Sequence, residues 1–129
     1  MIKHELKMKV RDYECDLQGI VNNANYQHYT EHARHEMLLE LGVSFADLHQ
    51  RGIDAVVARI TLSYKTPLHS GDEFVVRSQV GKEGVRYVFH QDIVRLPDEK
   101  LACRATVDIV AVVNGQLAAE CPELDRFFA

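Results

Sequence analysis

No stretch of this chain stays apolar for the roughly 20 residues that a membrane-spanning helix needs. Positive charge is not in excess either: the formal net charge is −4 and the pI about 5.9, which argues against a general nucleic-acid binder. Cysteine is scarce and odd in number. Cys15, Cys103 and Cys121 form no close metal-type pair, so a disulfide-framed secreted domain is not expected and a reducing, cytoplasmic setting is. The first residues, through Lys3, His4, Glu5 and Lys7, lack the apolar core of a signal peptide. Low-complexity linkers, internal repeats and boundaries rich in proline and glycine are missing too. The 129 residues therefore read as one domain, residues 1–129. Hydrophobic residues at 47% suffice for a core, but a chain this short has little room to enclose a sizeable ligand alone, so a homo-oligomer is expected.

Periodicity supplies the elements. Residues 4–12 read as a strand of mixed polarity. Residues 23–41 read as a helix, with Asn22 or Asn23 as N-cap and Gly42 just past its end. Tyr26, Tyr29, Ala33, Met37 and Leu41 recur at spacings of three and four, which makes one continuous buried stripe. Ser44 caps a second, short helix over residues 44–51. Strands follow over residues 54–64, 73–80, 85–96 and 101–113, with turns at 66–72, 82–84 and 96–99. In the last strand Leu101, Cys103, Ala105, Val107, Ile109, Ala111 and Val113 are apolar at every second place, so one face meets a core. Arg104, Thr106 and Asp108 then face water or a partner. The expectation is an α+β domain whose antiparallel five-stranded sheet wraps around one long central helix, the layout of the hotdog fold.

The most informative segment is residues 13–34. Asp16 ends the first extended run, a turn passes through Gly19, and Asn22-Asn23 opens the long helix. A carboxylate is thus held just ahead of a helix N-terminus, whose unpaired N–H groups attract developing negative charge. That combination suits attack on a carbonyl. The ordinary reading of Asp16 is a turn-forming acid, and that of the Asn pair is helix capping.

Other candidates have plainer explanations. Cys15 invites a thiol nucleophile but has no histidine tied to it by a motif, and strand alternation points it away from Asp16. His28, His32 and His35 fall near one helix face, yet no His-Glu-x-x-His occurs, so a metal site is not expected and contact with a second subunit is the better reading. Tyr26 and Tyr29 belong to the buried stripe, with Tyr26 near enough to the helix start to line a pocket. Lys65, Arg86 and Arg104 could meet phosphates, although scattered basic residues usually serve solubility.

At the Asp16 segment the chain resembles the 4-hydroxybenzoyl-CoA thioesterase-like branch of the hotdog thioesterases. The matching residues are Asp16, Gly19-Ile20-Val21, Asn22-Asn23, Tyr26, Tyr29 and Glu31-His32-Ala33-Arg34, then Leu62-Ser63-Tyr64-Lys65-Thr66-Pro67 and Ser70-Gly71-Asp72. The likeness extends to the Cys121-Pro122-Glu123-Leu124 tail. It implies hydrolysis of an acyl thioester of coenzyme A, with no metal and no cofactor beyond the substrate's own coenzyme A. It assigns Asp16 as nucleophile or as the base that activates water, and the Asn23 N–H as the group that polarises the carbonyl. Gly19, Val21, Asn22, Tyr26, Lys65 and Arg86 are the substrate-binding candidates. It also implies a dimer or dimer of dimers with joined sheets, in which residues 54–59 of one subunit help wall the other's site. Some relatives carry aromatic or histidine side chains where Asn22-Asn23 stands, which leaves the acyl group open. The alternatives are a thioesterase acting on acyl carrier protein and a non-catalytic module that binds acyl-CoA. A hotdog dehydratase fits less well, because its acid/base histidine arrangement finds no clear match.

Overall fold

A computed structural model describes residues 2–128. Strand β1 (Ile2–Lys9) leads through a 3₁₀ turn (Asp12–Glu14) to the long helix α1 (Asn23–Glu40) and the short α2 (Phe45–Gln50). Then come β2 (Ile53–Tyr64), β3 (Glu73–Glu83), β4 (Arg86–Leu96), β5 (Lys100–Val113), the three-residue β6 (Gln116–Ala118) and α3 (Pro122–Phe128). All pairings are antiparallel, in the order β1-β3-β4-β5-β2, with β6 added to β5. This is the hotdog fold, α+β as expected.

Helix α1 begins and ends where local chemistry dictates. Asn22 is the N-cap, and its side chain accepts the Ala24 N–H at 3.0 Å. At the other end Gly42, at φ +81°, donates to Leu39 O at 3.0 Å, and Val43 donates to Leu38 O at 2.9 Å. That pair of bonds is a Schellman ending, with Leu38 and Val43 meeting in the core. Tyr26, Tyr29, Ala33 and Met37 are buried as the stripe predicts, while Leu41 is half-buried.

Two apolar clusters result. One gathers Tyr26, Tyr29 and Ala33 against Phe74, Val76 and Ile93, and the other gathers Met37 and Leu38 against Val80, Phe89 and Val107. Between them lies a buried polar layer of Thr30, Arg34, Ser78 and Gln91. The Gln91 amide donates to Thr30 O and to Ser78 Oγ, both at 3.0 Å, and accepts from Arg34 Nη1 at 3.1 Å. The alternation in β5 places Cys103, Ala105, Val107, Ile109 and Ala111 inward. On the outer face Arg104 pairs with Asp92 and Arg86 with Asp108.

Four boundaries differ from the sequence expectation. β1 stops at Lys9 because the Asp12–Glu14 segment coils into a 3₁₀ turn. The β3–β4 hairpin turns on Gly84-Val85, with Gly84 at φ +63°, so β3 runs on to Glu83. The sheet has six strands instead of five, since Asn114-Gly115 (φ 51° and 79°) folds β6 back on β5. The tail forms α3, which buries Leu124 and Phe128.

Candidate active site

The Asp16 segment is a tight, doubly pinned loop. Cys15 pairs with Val21, and Ile20 with His69, as isolated bridges. The turn between them closes through Asp16 N–H to Ile20 O at 2.9 Å and Gly19 N–H to Asp16 O at 3.0 Å. Gly19 sits at φ +80°, which a side chain would resist. One carboxylate oxygen of Asp16 accepts the Gln18 N–H at 2.8 Å. No partner for the other is found among the described residues. Asp16 is half-buried.

Glu14 joins this loop to the helix. Its backbone carbonyl accepts both the Asn22 N–H at 3.0 Å and the Asn25 Nδ2–H at 2.8 Å. Its own carboxylate is buried and accepts the Arg11 N–H at 2.8 Å and the Tyr29 hydroxyl at 2.9 Å. Burial and the hydrogen bond to Glu14 drive the Tyr29 hydroxyl well above the ordinary tyrosine range, so it stays a donor. Neither Glu14 nor Asn25 is singled out by sequence reasoning. An acid two residues before Asp16 and an asparagine in a first helical turn both pass as surface polarity.

At the helix start the donors are unequally used. Ala24 N–H goes to Asn22 Oδ1 and Asn25 N–H to Asn22 O at 2.9 Å. For Asn23 N–H no acceptor is found among the described residues. A free amide therefore stands at the positive end of an 18-residue helix, adjoining the turn that carries Asp16. Tyr64 closes over this corner, its hydroxyl donating to Asn23 O at 3.4 Å and its ring meeting Tyr26 at 5.5 Å. The Tyr26 hydroxyl accepts the Leu68 N–H at 3.1 Å, and burial raises its pKa.

The sequence matches the thioesterase-like superfamily over residues 10–126. The chain belongs to that superfamily. It is 39% identical over 98 residues to the chloroplastic acyl-acyl carrier protein thioesterase ATL3 of Arabidopsis thaliana, a match covering 75% of this chain and 52% of that protein. The chain thus spans about half the length of that relative. It is 30% identical over 112 residues to the long-chain acyl-CoA thioesterase FadM of Escherichia coli, covering 84% of this chain and 82% of the other. Among solved structures, a protein of Aquifex aeolicus superposes with a TM-score of 0.89 at 25% identity, over 98% of this chain and 99% of that one.

Within this superfamily member, the structure brings Asp16, Gly19, Asn22 and Asn23 to one corner. Val21 also lies there, but its side chain is buried in the core and its N–H is bonded to Leu68 O at 2.8 Å. Lys65 is exposed just beyond Tyr64, at the same end of the sheet. Arg86 opens β4, roughly 33 Å of strand from its other end at Leu96 at about 3.3 Å per residue, and pairs with Asp108 at 3.1 Å. The single chain does not bring it to Asp16. Cys15 is no thiolate: burial, then the nearby acids Asp12 and Asp16, push its thiol up. His28, His32 and His35 are all exposed, and His35 stacks edge-on against Phe45 at 5.2 Å. Among the described residues no three His, Cys, Asp or Glu side chains are grouped to hold a metal. No described helix is long and apolar enough to cross a membrane.

Proposed function

We propose that this chain is a thioester hydrolase acting on acyl-CoA, with its site at the Asp16–Asn23 corner. The observation that carries the reading is the unpaired Asn23 N–H at a helix N-terminus, adjoining a turn that holds the Asp16 carboxylate. A thioester carbonyl placed between them has a donor for its oxygen and a carboxylate for its carbon. Attack can proceed in two ways. In one, an Asp16 oxygen bonds to the carbonyl carbon, the C–S bond breaks, coenzyme A leaves as thiolate, and water then hydrolyses the acyl-aspartyl anhydride. In the other, Asp16 takes a proton from water as the water oxygen adds to the carbon, and the thiolate departs from the tetrahedral adduct. Either way the oxygen gains negative charge, and a preorganised amide at a positive dipole end stabilises it. Gly19 and Asn22 shape the entry, Tyr26 underlies it, and the exposed Lys65, next in the chain to the Tyr64 that closes over the corner, is available to attract a phosphate. Hydrolysis by this route calls for no metal or cofactor.

Assembly as a dimer or dimer of dimers fits the edges of the sheet. β2 is a twelve-residue edge strand with Val56 and Val57 each more than 40% exposed, a surface that isolated chains rarely leave open. In that assembly residues 54–59 of one subunit would border the partner's site, and the protein would act in the cytoplasm. A second reading, hydrolysis of acyl groups on an acyl carrier protein, is favoured by the 39% identity to the Arabidopsis protein so named.

Free-thiol release from a panel of acyl-CoAs and acyl carrier protein thioesters tests both readings. Asp16→Asn and Asp16→Ala are expected to lower kcat by about 10²–10⁴-fold, the range for losing a positioned base or nucleophile. Full activity in both variants would remove Asp16 from the chemistry. Tight acyl-CoA binding without turnover by the parent would leave a binding module.

A further inference from the structure

Hydrolysis at Asp16 releases sulfur as a thiolate, and neither the Asp16 carboxylate nor the Asn23 amide gives that sulfur a proton. The register of the short pairings around Asp16 brings a third group to the same surface. Cys15 lies opposite Val21, and Ile20 lies opposite His69. The Asp16 N–H bonds to Ile20 O at 2.9 Å and the Val21 N–H to Leu68 O at 2.8 Å, so three short extended segments run side by side. Opposed residues on paired strands project to one face, and neighbours along a strand project to opposite faces. Val21 and Leu68 are buried and fill the inner face. Asp16, Ile20 and His69 therefore share the outer one, with Ile20 in the middle. At about 5 Å per segment, the Cα atoms of Asp16 and His69 stand about 10 Å apart, which leaves room between carboxylate and imidazole for a reacting thioester. The Ile20 segment runs on through Asn22 into the free Asn23 amide, so carboxylate, amide and imidazole border one patch.

The loop around His69 is fastened so that one ring nitrogen stays open. Asp72 Oδ2 accepts the His69 backbone N–H at 2.8 Å, and the Asp72 N–H donates to His69 O at 3.0 Å. That same carboxylate oxygen stands 3.6 Å from His69 Nδ1, which turns this edge of the ring toward the loop. For Nε2 no partner is found among the described residues, and the side chain is 55% exposed. On either side, the Ser70 hydroxyl is tied to Asp12, and the Gly71 N–H bonds to Val10 O at 3.1 Å. An imidazole oriented by a carboxylate at one nitrogen and open at the other is suited to carrying a proton.

We propose that His69 is a further catalytic residue of the thioester hydrolysis, its Nε2–H giving a proton to the sulfur as the C–S bond breaks. The electron pair of that bond goes to sulfur, the proton joins it there, and coenzyme A departs as the free thiol. The ring recovers a proton from the water that is consumed, whose oxygen ends in the product acid. This assignment rests on the hydrolysis proposed at Asp16 and holds for attack by either Asp16 or water.

Leaving-group dependence tests it. Thiol release by the full chain is measured with hexanoyl-CoA and with the para-nitrothiophenol thioester of the same acid, whose thiolate is stable enough to leave without a proton. His69→Gln, at an exposed position, is expected to lower kcat/KM for hexanoyl-CoA by about ten- to a hundredfold. For the aryl thioester the change should stay below about twofold, because a general acid contributes less as the leaving group improves. Imidazole added to His69→Ala should restore part of the hexanoyl-CoA rate. Asp16→Asn should lower both thioesters. If Asp16→Asn lowers both while His69→Gln lowers both alike, or neither, the His69 assignment is overturned and the hydrolase reading stands. If Asp16→Asn lowers neither, the reading at Asp16 fails and the His69 assignment falls with it.

Discussion

Replacing Glu14 by glutamine removes the charge from a buried carboxylate while keeping its length and one acceptor oxygen. In the parent that oxygen, Oε1, accepts from Arg11 N–H at 2.8 Å and Tyr29 OH at 2.9 Å. Hydrogen bonds to a charged acceptor contribute about 1.5–3 kcal/mol each and neutral ones about 0.5–1.5. Loss of charge across two such bonds therefore destabilises by about 2–3 kcal/mol. The Arg11 Nε contact at 3.5 Å adds little, because that guanidinium is largely exposed. Tyr29→Phe removes one of the two donors and should cost about 1–2 kcal/mol. The two changes share one bond, so the double variant should be more stable than their sum by about 1 kcal/mol. Urea unfolding of the four proteins, at one protein concentration because association shifts midpoints, gives the cycle. Additivity within about 0.3 kcal/mol, or a Glu14→Gln effect below about 0.5, would refute the claim that this buried carboxylate anchors the helix start.

Three further outcomes are expected. Asp125 accepts from Lys82 at 2.8 Å and from Tyr87 at 2.5 Å, bonds that hold its carboxyl below the usual range. A depressed folded pKa means stability that is full above the unfolded value near 4 and lost as pH falls through the folded one. The stability gap between the parent and Asp125→Asn should thus narrow steadily in urea titrations taken from pH 6 down to 3, and a gap independent of pH would contradict this. Gly52→Ala should destabilise by about 1–3 kcal/mol, since its Cβ would stand 2.2 Å from Asn114 Oδ1 at φ +78°. Pairing it with Asn114→Gly, which clears that atom, should recover part of the loss in thermal melts. Asn22→Ala removes the cap on Ala24 N–H and should lower stability by about 1 kcal/mol in the same assay, whereas Asn22→Asp should not.

How far the fold could be read from the chain depended on how local the cause was. α1 was legible at both ends because Asn22 caps it and Gly42 adopts a positive φ, each a matter of neighbouring residues. β5 was legible because strict alternation has a single interpretation. β6 and α3 were passed over: three residues and seven residues give too little periodicity, although Asn114-Gly115 is a hairpin turn by its residue types. The corner at Asp16 was legible as a turn before a capped helix, and Asn22 proved to be the cap, leaving the Asn23 amide free. What stayed hidden is non-local. Glu14 is buried by Tyr29, fifteen residues away, and Arg34 bonds Gln91, fifty-seven away. A charged residue on a helix is taken for a solvated one until the sheet beneath it is known.

The Thr30–Arg34–Ser78–Gln91 layer also bears on how the chain can change over time. It divides the interior into a half around Tyr26 and Phe74 and a half around Met37 and Phe89, with few apolar contacts to carry strain across. Volume changes on one side should therefore combine additively with those on the other. Repacking around Leu38 or Phe128 would then reshape the Met37 side while leaving the Tyr26 side, and the Asp16 turn beside it, in place. Two properties that would be coupled in a single continuous core become separately adjustable.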